Sequence, residues 1–344
     1  MNCTTDTKDK ITKLIIKAYQ HEASDLFIRE NMYPYIRNNL GKIEMLEDNF
    51  IKDSQMISFL KKAKQLSDFL SSLDFIITDS DFFVSVDNIN CRCHFYETIK
   101  GRAIAIRLLP DKIPSLDKLG LPESIKLLAD KKSGLIIVSG PTGSGKSTTI
   151  ASIIDAINQK YNYHIITIED PIEYTFEDKK SIISQVPLGN NITSFSKSVK
   201  SAMRENPNVI MIGELRTLKD IKTALFAAES GHLVITTLHA NNAIDALDRM
   251  TNYEEKLNLK NLLANTFQAI IAQKLITTKE HKVLCLEILL RSNATVNCIK
   301  NDDYTSLINI MKSTPGMMTM QDHFNMLKEQ GIISKEDRKS TRLN

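Results

Sequence analysis

Apolar and polar positions along this chain follow one rhythm up to about residue 108 and another after it. In the first stretch Ile11, Leu14, Ile15 and Tyr19 recur at helical spacing and predict a helix over 8–22. Ile57, Leu60, Ala63 and Leu66 predict a second helix over 54–70. Short runs at 24–29, 33–37, 73–77, 82–86, 92–96 and 102–108 read as strands. Turns are expected at 38–42, at Asp79-Ser80-Asp81 and at Asn88-Ile89-Asn90. Helices mixed with antiparallel hairpins predict a compact α+β domain.

Pro110-Asp111-Lys112-Ile113-Pro114 reads as a linker, because two prolines in five residues resist both a helix and a central strand. Beyond it strands and helices alternate, the signature of an α/β fold with a largely parallel sheet. Strands are expected at 135–139, 164–169, 208–212 and 232–237. Helices are expected at 122–131, 146–159, 195–205, 217–230, 241–251 and 254–275. An antiparallel edge strand follows at 281–289, then C-terminal helices that include 317–329. Thr217 is placed to cap the helix it opens, and Gly231 to close it in a left-handed turn. The division expected is a domain over 1–109, a hinge over 110–114, a second domain over 115–337 and a disordered polar tail over 338–344.

Composition narrows the partners. Lys plus Arg number 44 and Asp plus Glu 41, a net charge of +3 that argues against a nucleic-acid binder. No apolar run approaches the ~18 residues of a membrane span, and Met1 to Asp6 lack the apolar core of a secretory signal. Five scattered cysteines fit reduced thiols in a cytoplasmic protein. Cys91-Arg92-Cys93-His94 alternates like a strand, with no second Cys/His pair nearby, and reads as thiols rather than metal ligands.

Gly140-Pro141-Thr142-Gly143-Ser144-Gly145-Lys146-Ser147-Thr148 fits the phosphate-binding loop G-x-x-x-x-G-K-[ST], and a β-branched run before it and a helical run after it supply the required context. Its glycines let backbone N–H groups converge on a phosphate at a helix N-terminus. Lys146 is expected on the β- and γ-phosphates of ATP, and the Ser147 hydroxyl on Mg²⁺. Glu169, Asp170 and Glu173 close the apolar run 164–169, where Glu169 and Asp170 would hold the metal through water. Val209 to Ile212 resembles a Walker B strand, but Gly213 stands where an aspartate is usual. Glu214 is then the candidate to polarise the attacking water; the plainer alternative pairs it with Arg216. His239 ends the next strand on the expected nucleotide side as a candidate sensor, and His232 lies a strand-length away. Arg92, Arg102 and Arg107, just before the linker, are candidates to supply positive charge to a neighbouring subunit's transition state.

The phosphate loop, the box Glu169-Asp170-Pro171-Ile172-Glu173, Gly213-Glu214-Leu215-Arg216 and the Gly231-His232 to Leu238-His239 box stand in the order and approximate spacing of a known family. They make the chain resemble the secretion ATPases of type II secretion and type IV pilus motors, most of all the pilus-retraction branch. That resemblance implies a PAS-like N-terminal domain, a RecA-like ATPase domain and a homohexamer. It implies phosphate binding by Lys146, a catalytic base in Glu214, and support of metal or water by Glu173. It also implies a histidine box that includes His232, and an inner-membrane platform protein as partner. A related assembly, competence or secretion ATPase, and a low-turnover nucleotide-binding scaffold, remain the alternatives. Two departures stand out. Thr217 replaces the usual aspartate, and Ala294 to Asn301 lacks both arginines of the motif associated with retraction.

Overall fold

In a computed structural model, residues 9–38, 41–65, 79–87, 89–109, 112–188, 194–278 and 282–334 are described. The chain divides into two compact units, Met1–Lys112 and Ile113–Asn344. The strand expected at 73–77, the helix end at 66–70, Pro110-Asp111 of the linker and the 338–344 tail lie outside the described residues.

In the first unit, α1 (Lys10–Gln20) and α2 (Asp53–Gln65) accompany a six-stranded antiparallel sheet. Its strands are β1 (Asp25–Arg29), β2 (Tyr35–Arg37), β3 (Ile43–Met45), β4 (Asp79–Val86), β5 (Ile89–Thr98) and β6 (Gly101–Leu108), in the order β3-β2-β1-β6-β5-β4. The Asp9 side chain accepts from the Thr12 N–H and starts α1, whose Ile11, Leu14, Ile15 and Ala18 stripe is buried. That stripe meets Met56 and Phe59 of α2 and the inward face of β5, where Cys91, Cys93 and Phe95 alternate with half-buried neighbours. Both cysteines are therefore core residues, and burial pushes the Cys93 thiol well up. Asp79-Ser80-Asp81 is not the turn expected: it is strand, paired with Tyr96, Phe95 and His94.

The second unit is a seven-stranded sheet in the order β13-β12-β7-β11-β10-β8-β9. It comprises β7 (Gly134–Ser139), β8 (His164–Glu169), β9 (Ile182–Pro187), β10 (Val209–Ile212), β11 (Leu233–Leu238), β12 (Phe267–Thr277) and β13 (Lys282–Leu290). All neighbours run parallel except β13, the antiparallel edge. Every residue of β7 and β11 is buried, as in a sheet covered on both faces. Ile150, Ile153, Ile154 and Ile157 of α4 (Lys146–Lys160) share one core with Ile136 and Val138. A second core joins Ile137 to α5 (Phe195–Ala202), α6 (Leu218–Glu229), α7 (Ala243–Thr251) and α8 (Lys256–Thr266). Each fully buried isoleucine contributes about 1.5–3 kcal/mol, so these two layers fix the sheet on which the loops stand.

The helix expected over 254–275 is a correction. It ends at Thr266, and Phe267 begins β12, a central strand between β7 and β13. A strand buried on both faces has no period of two, so its apolar run reads equally as a helix. β9 was not expected at all; its half-buried edge pattern carries little hydrophobic signal. Thr217 does cap α6, in a reciprocal capping box with Asp220. After α3 (Glu123–Lys126) a 3₁₀ turn spans Leu127–Asp130, and α9 (Asn293–Lys300), α10 (Tyr304–Ser313) and α11 (Met320–Glu329) complete the unit. Among the described residues no helix is long and apolar enough to cross a membrane.

Two buried polar groups tie this C-terminal part to β13. The Glu287 carboxylate accepts from the first N–H of α7 (Ala243, 2.7 Å) and the first N–H of α11 (Met320, 3.1 Å). His323 Nδ1 accepts from the Leu286 N–H at 2.8 Å, and burial lowers the pKa of its ring. The unfolded chain takes up that proton near pH ~6.5, the folded chain only at lower pH. The stability is therefore present above ~6.5 and is lost as pH falls from there to the depressed folded value. The melting temperature is expected to drop between about pH 7 and 5, and to drop less in His323→Gln.

Candidate functional site

The strand order sets the site. β7, β8, β10 and β11 are parallel, so their C-terminal ends share one edge, and the four motifs follow those ends. In an open parallel sheet this edge is where ligands bind. Leu238 stands opposite Ser139, and Ile212 opposite both Thr236 and Ile168. The Thr237 hydroxyl donates to the Gly213 carbonyl at 2.5 Å, locking the two neighbouring strand ends together.

At the end of β7 the chain turns through Gly140 and reaches α4 at Gly145, whose φ of +86° makes a left-handed N-cap. The Lys146 side chain folds back, and its Nζ donates to the carbonyls of Gly140 and Pro141, both at 2.9 Å. Burial draws this ammonium below lysine's usual range, while the negative charge of Glu173 and Glu214 opposes that shift. Pro141, Thr142 and Gly143 are exposed at the loop's tip; Ser147 and Thr148 are half-buried. Thr148 Oγ1 lies 2.9 Å from Tyr174 Oη, which fastens the first turn of α4 to the acidic turn after β8.

In that acidic turn the peptide bond between Asp170 and Pro171 is cis. Glu169 is only 5% exposed, and both its oxygens are taken. Oε1 accepts from Thr167 Oγ1 (2.7 Å) and Gln185 Nε2 (3.2 Å), and Oε2 from the Glu173 N–H (3.4 Å). Burial raises the pKa of its carboxyl, and these donors oppose the shift. Glu169 thus fixes the turn that carries Asp170 and Glu173, where a water-bridged metal ligand was expected.

Glu214 does pair with Arg216, through Oε1 and Nε at 2.6 Å, and Arg216 Nη1 reaches Asp170 at 3.0 Å. His239 Nε2 lies 3.5 Å from the other Glu214 oxygen. Partial burial lowers the pKa of His239, as does the Lys146 charge; Glu214 works the other way. The structure thus groups Lys146, Glu214, Arg216, Asp170 and His239 on one edge. It places His232 at the opposite end of β11, where Nδ1 contacts the Ala227 carbonyl at 3.0 Å and its own carbonyl accepts from Gly134.

Arg92, Arg102 and Arg107 belong to the first unit. Arg92 stands opposite Arg107 across β5 and β6. Arg107 bonds Asp25 at 3.0 Å, and Arg102 bonds Asp53 at 2.9 and 2.8 Å. The Asp53 hydrogen bond raises the pKa of Arg102 further.

Sequence reasoning missed four participants and one contact. Arg216 entered only as a partner of Glu214, and its link to Asp170 spans 46 residues. Asp245, Asp248 and Arg249 of α7 line a cavity of ≈370 Å³ with Gly140, Pro141 and His239. Gln273 sat in the stretch read as helix; it is fully buried, and its Nε2 donates to the Ser144 carbonyl at 2.6 Å. Among the described residues no cluster of three His, Cys, Asp or Glu side chains forms a metal-ligand set.

A largely parallel sheet with a phosphate loop at one strand end, and a histidine and a carboxylate at the ends of the next two strands, defines a P-loop ATPase. The chain belongs to the family described as Type II/IV secretion system protein, which matches residues 6–342. It is 33% identical, over 95% of its length and 96% of the relative's, to the type IV pilus retraction ATPase PilT of Pseudomonas aeruginosa. To a twitching motility protein of Neisseria gonorrhoeae it is 37% identical, over 74% of this chain and 71% of that one. The crystal structure of the pilus retraction motor PilT with bound ADP superimposes with a TM-score of 0.86 at 37% identity, covering 98% of each chain.

Proposed function

We propose that this protein is a motor ATPase that hydrolyses Mg-ATP to retract type IV pili, the activity that drives twitching motility. What carries the reading is the phosphate loop standing on the same sheet edge as Glu214 and His239, in a chain similar to PilT over nearly its whole length.

The amides of Gly143 to Thr148 and the Lys146 ammonium would hold the β- and γ-phosphates. Lys146 reaches them by leaving the Gly140 and Pro141 carbonyls, a short swing within its own loop. Magnesium, held by Ser147 and through water by Asp170, would neutralise charge on the phosphate oxygens. Glu214 takes a proton from the attacking water on Oε2, the oxygen that Arg216 does not hold. Glu173 orders that water, and His239, beside Glu214, senses the γ-phosphate. Arg92, Arg102 and Arg107 act on a neighbour's nucleotide within a homohexamer, and His232 serves the strand end away from the loop. The first unit is a PAS-like domain, the second a RecA-like domain, and 110–114 the hinge whose closure turns hydrolysis into movement. The ring works at the inner face of the cytoplasmic membrane on a platform protein, without nucleic acid.

One observation favours a second reading. α9, which spans the family's retraction motif, carries neither of its arginines; an assembly or secretion role fits that loss. Deletion of the gene decides: accumulated, non-retracting pili are expected, and absent pili would assign assembly instead. A purified ring that binds ATP without releasing phosphate would assign a scaffold.

A further inference from the structure

We infer that Gln273 is a positioning residue of the phosphate loop: its amide holds the Ser144 carbonyl so that the Gly145 N–H faces the nucleotide phosphate. The inference rests on the nucleotide reading above and deepens it.

The geometry is that of one peptide plane. In a trans peptide the C=O and the next N–H point in opposite directions. Gln273 Nε2 grips the Ser144 carbonyl from the side of β12 at 2.6 Å, so the Gly145 N–H is turned the other way, away from β12. Gly145 is also the N-cap of α4, the point where an anion meets the helix's free amides. The same strand shapes the loop's entry. A Cβ on Gly140 would run into the Gln273 backbone carbonyl and lie 2.6 Å from Ser144 Oγ. Gln273 therefore sets both the first glycine of the loop and the last.

The burial supports a functional reason for the amide. Gln273 is fully buried, and its Oε1 has no partner among the described residues; nor has the hydroxyl of Ser139 or of Ser144. Burying an amide is unfavourable unless it is bonded, and a leucine or methionine would fill the same space without that cost. The bond that offsets part of it is the one to the loop. It also differs from the loop's other carbonyl contacts. Lys146 holds the Gly140 and Pro141 carbonyls and must let them go to meet a phosphate. The Gln273 bond does not depend on Lys146, so it keeps the loop in shape through the exchange.

The test is a titration of the full chain with ADP, which binds without turnover, beside ATP kinetics. Gln273→Met keeps the bulk and loses the donor. About a tenfold weaker ADP Kd and a similar rise in KM for ATP are expected, with kcat within about twofold. Gln273→Glu adds a pH signature that core filling would not. As a carboxylate it repels the Ser144 carbonyl; protonated, it donates to it. Its ADP affinity relative to wild type should therefore recover as pH is lowered from about 8 to 5.5. A Gln273→Met protein that binds ADP as tightly as wild type overturns the inference. So does a pH-independent ratio for Gln273→Glu, or loss of folding in both variants, which would assign the amide to the core. Wild type failing to bind ADP would overturn the nucleotide reading itself; wild type binding with Gln273→Met unchanged overturns this inference alone.

Discussion

Lys146→Ala is expected to abolish ATP turnover and to weaken nucleotide binding while leaving the fold intact. The side chain is buried against its own loop, so the variant loses two hydrogen bonds to the Gly140 and Pro141 carbonyls. It also loses a charge whose burial is itself unfavourable, as its lowered pKa shows. Those effects on stability oppose each other, and the melting temperature should stay near that of wild type. Function has no such compensation. A charge-assisted hydrogen bond contributes about 1.5–3 kcal/mol, which makes ADP bind roughly ten- to a hundredfold more weakly. Loss of a preorganised donor to the transition state costs about a further 10²–10³ in rate. Calorimetric titration and phosphate release measure the two separately. Turnover within about tenfold of wild type would show that the lysine does not meet the γ-phosphate.

Glu214→Gln is expected to separate chemistry from binding. Glutamine keeps the size and can still accept from Arg216 and face His239, so ATP should bind within a few-fold of wild type. It cannot take a proton. General-base catalysis contributes about 10²–10⁴, and hydrolysis should fall by that factor. ATP should then stay bound and uncleaved, which filter binding with labelled nucleotide would detect. Normal hydrolysis by Glu214→Gln would remove the base from the mechanism and leave Glu214 as the carboxylate that orients Arg216 toward Asp170.

The parts of this site that could be read from sequence are those whose chemistry is local. The phosphate loop is contiguous, and its glycines, lysine and serine announce themselves by spacing. β8, β10 and β11 are short β-branched runs that end in, or within two residues of, a charged or imidazole side chain, so strand and candidate residue were found together. The cap of α6 was legible at Thr217 for the same reason. What stayed hidden depends on tertiary contact. Tyr174 meets Thr148 across 26 residues, and Gln273 meets Ser144 across 129. β12 was lost to a helix because two covered faces erase the alternation that marks a strand. With it went the residue beneath the loop. The reach of Arg216 to Asp170 had no sequence signal, since both are common surface charges.

The carboxylate that joins the first amides of α7 and α11 has a mechanical consequence. α7 begins four residues beyond His239, and α11 closes the C-terminal helical block. A single short side chain on a rigid edge strand serves as the pin for both. If the segment after His239 shifts when the terminal phosphate leaves, the pin transmits that stroke to the far helices or must itself break. In that sense α11 would follow α7 wherever it moved, with Glu287 as their shared fulcrum.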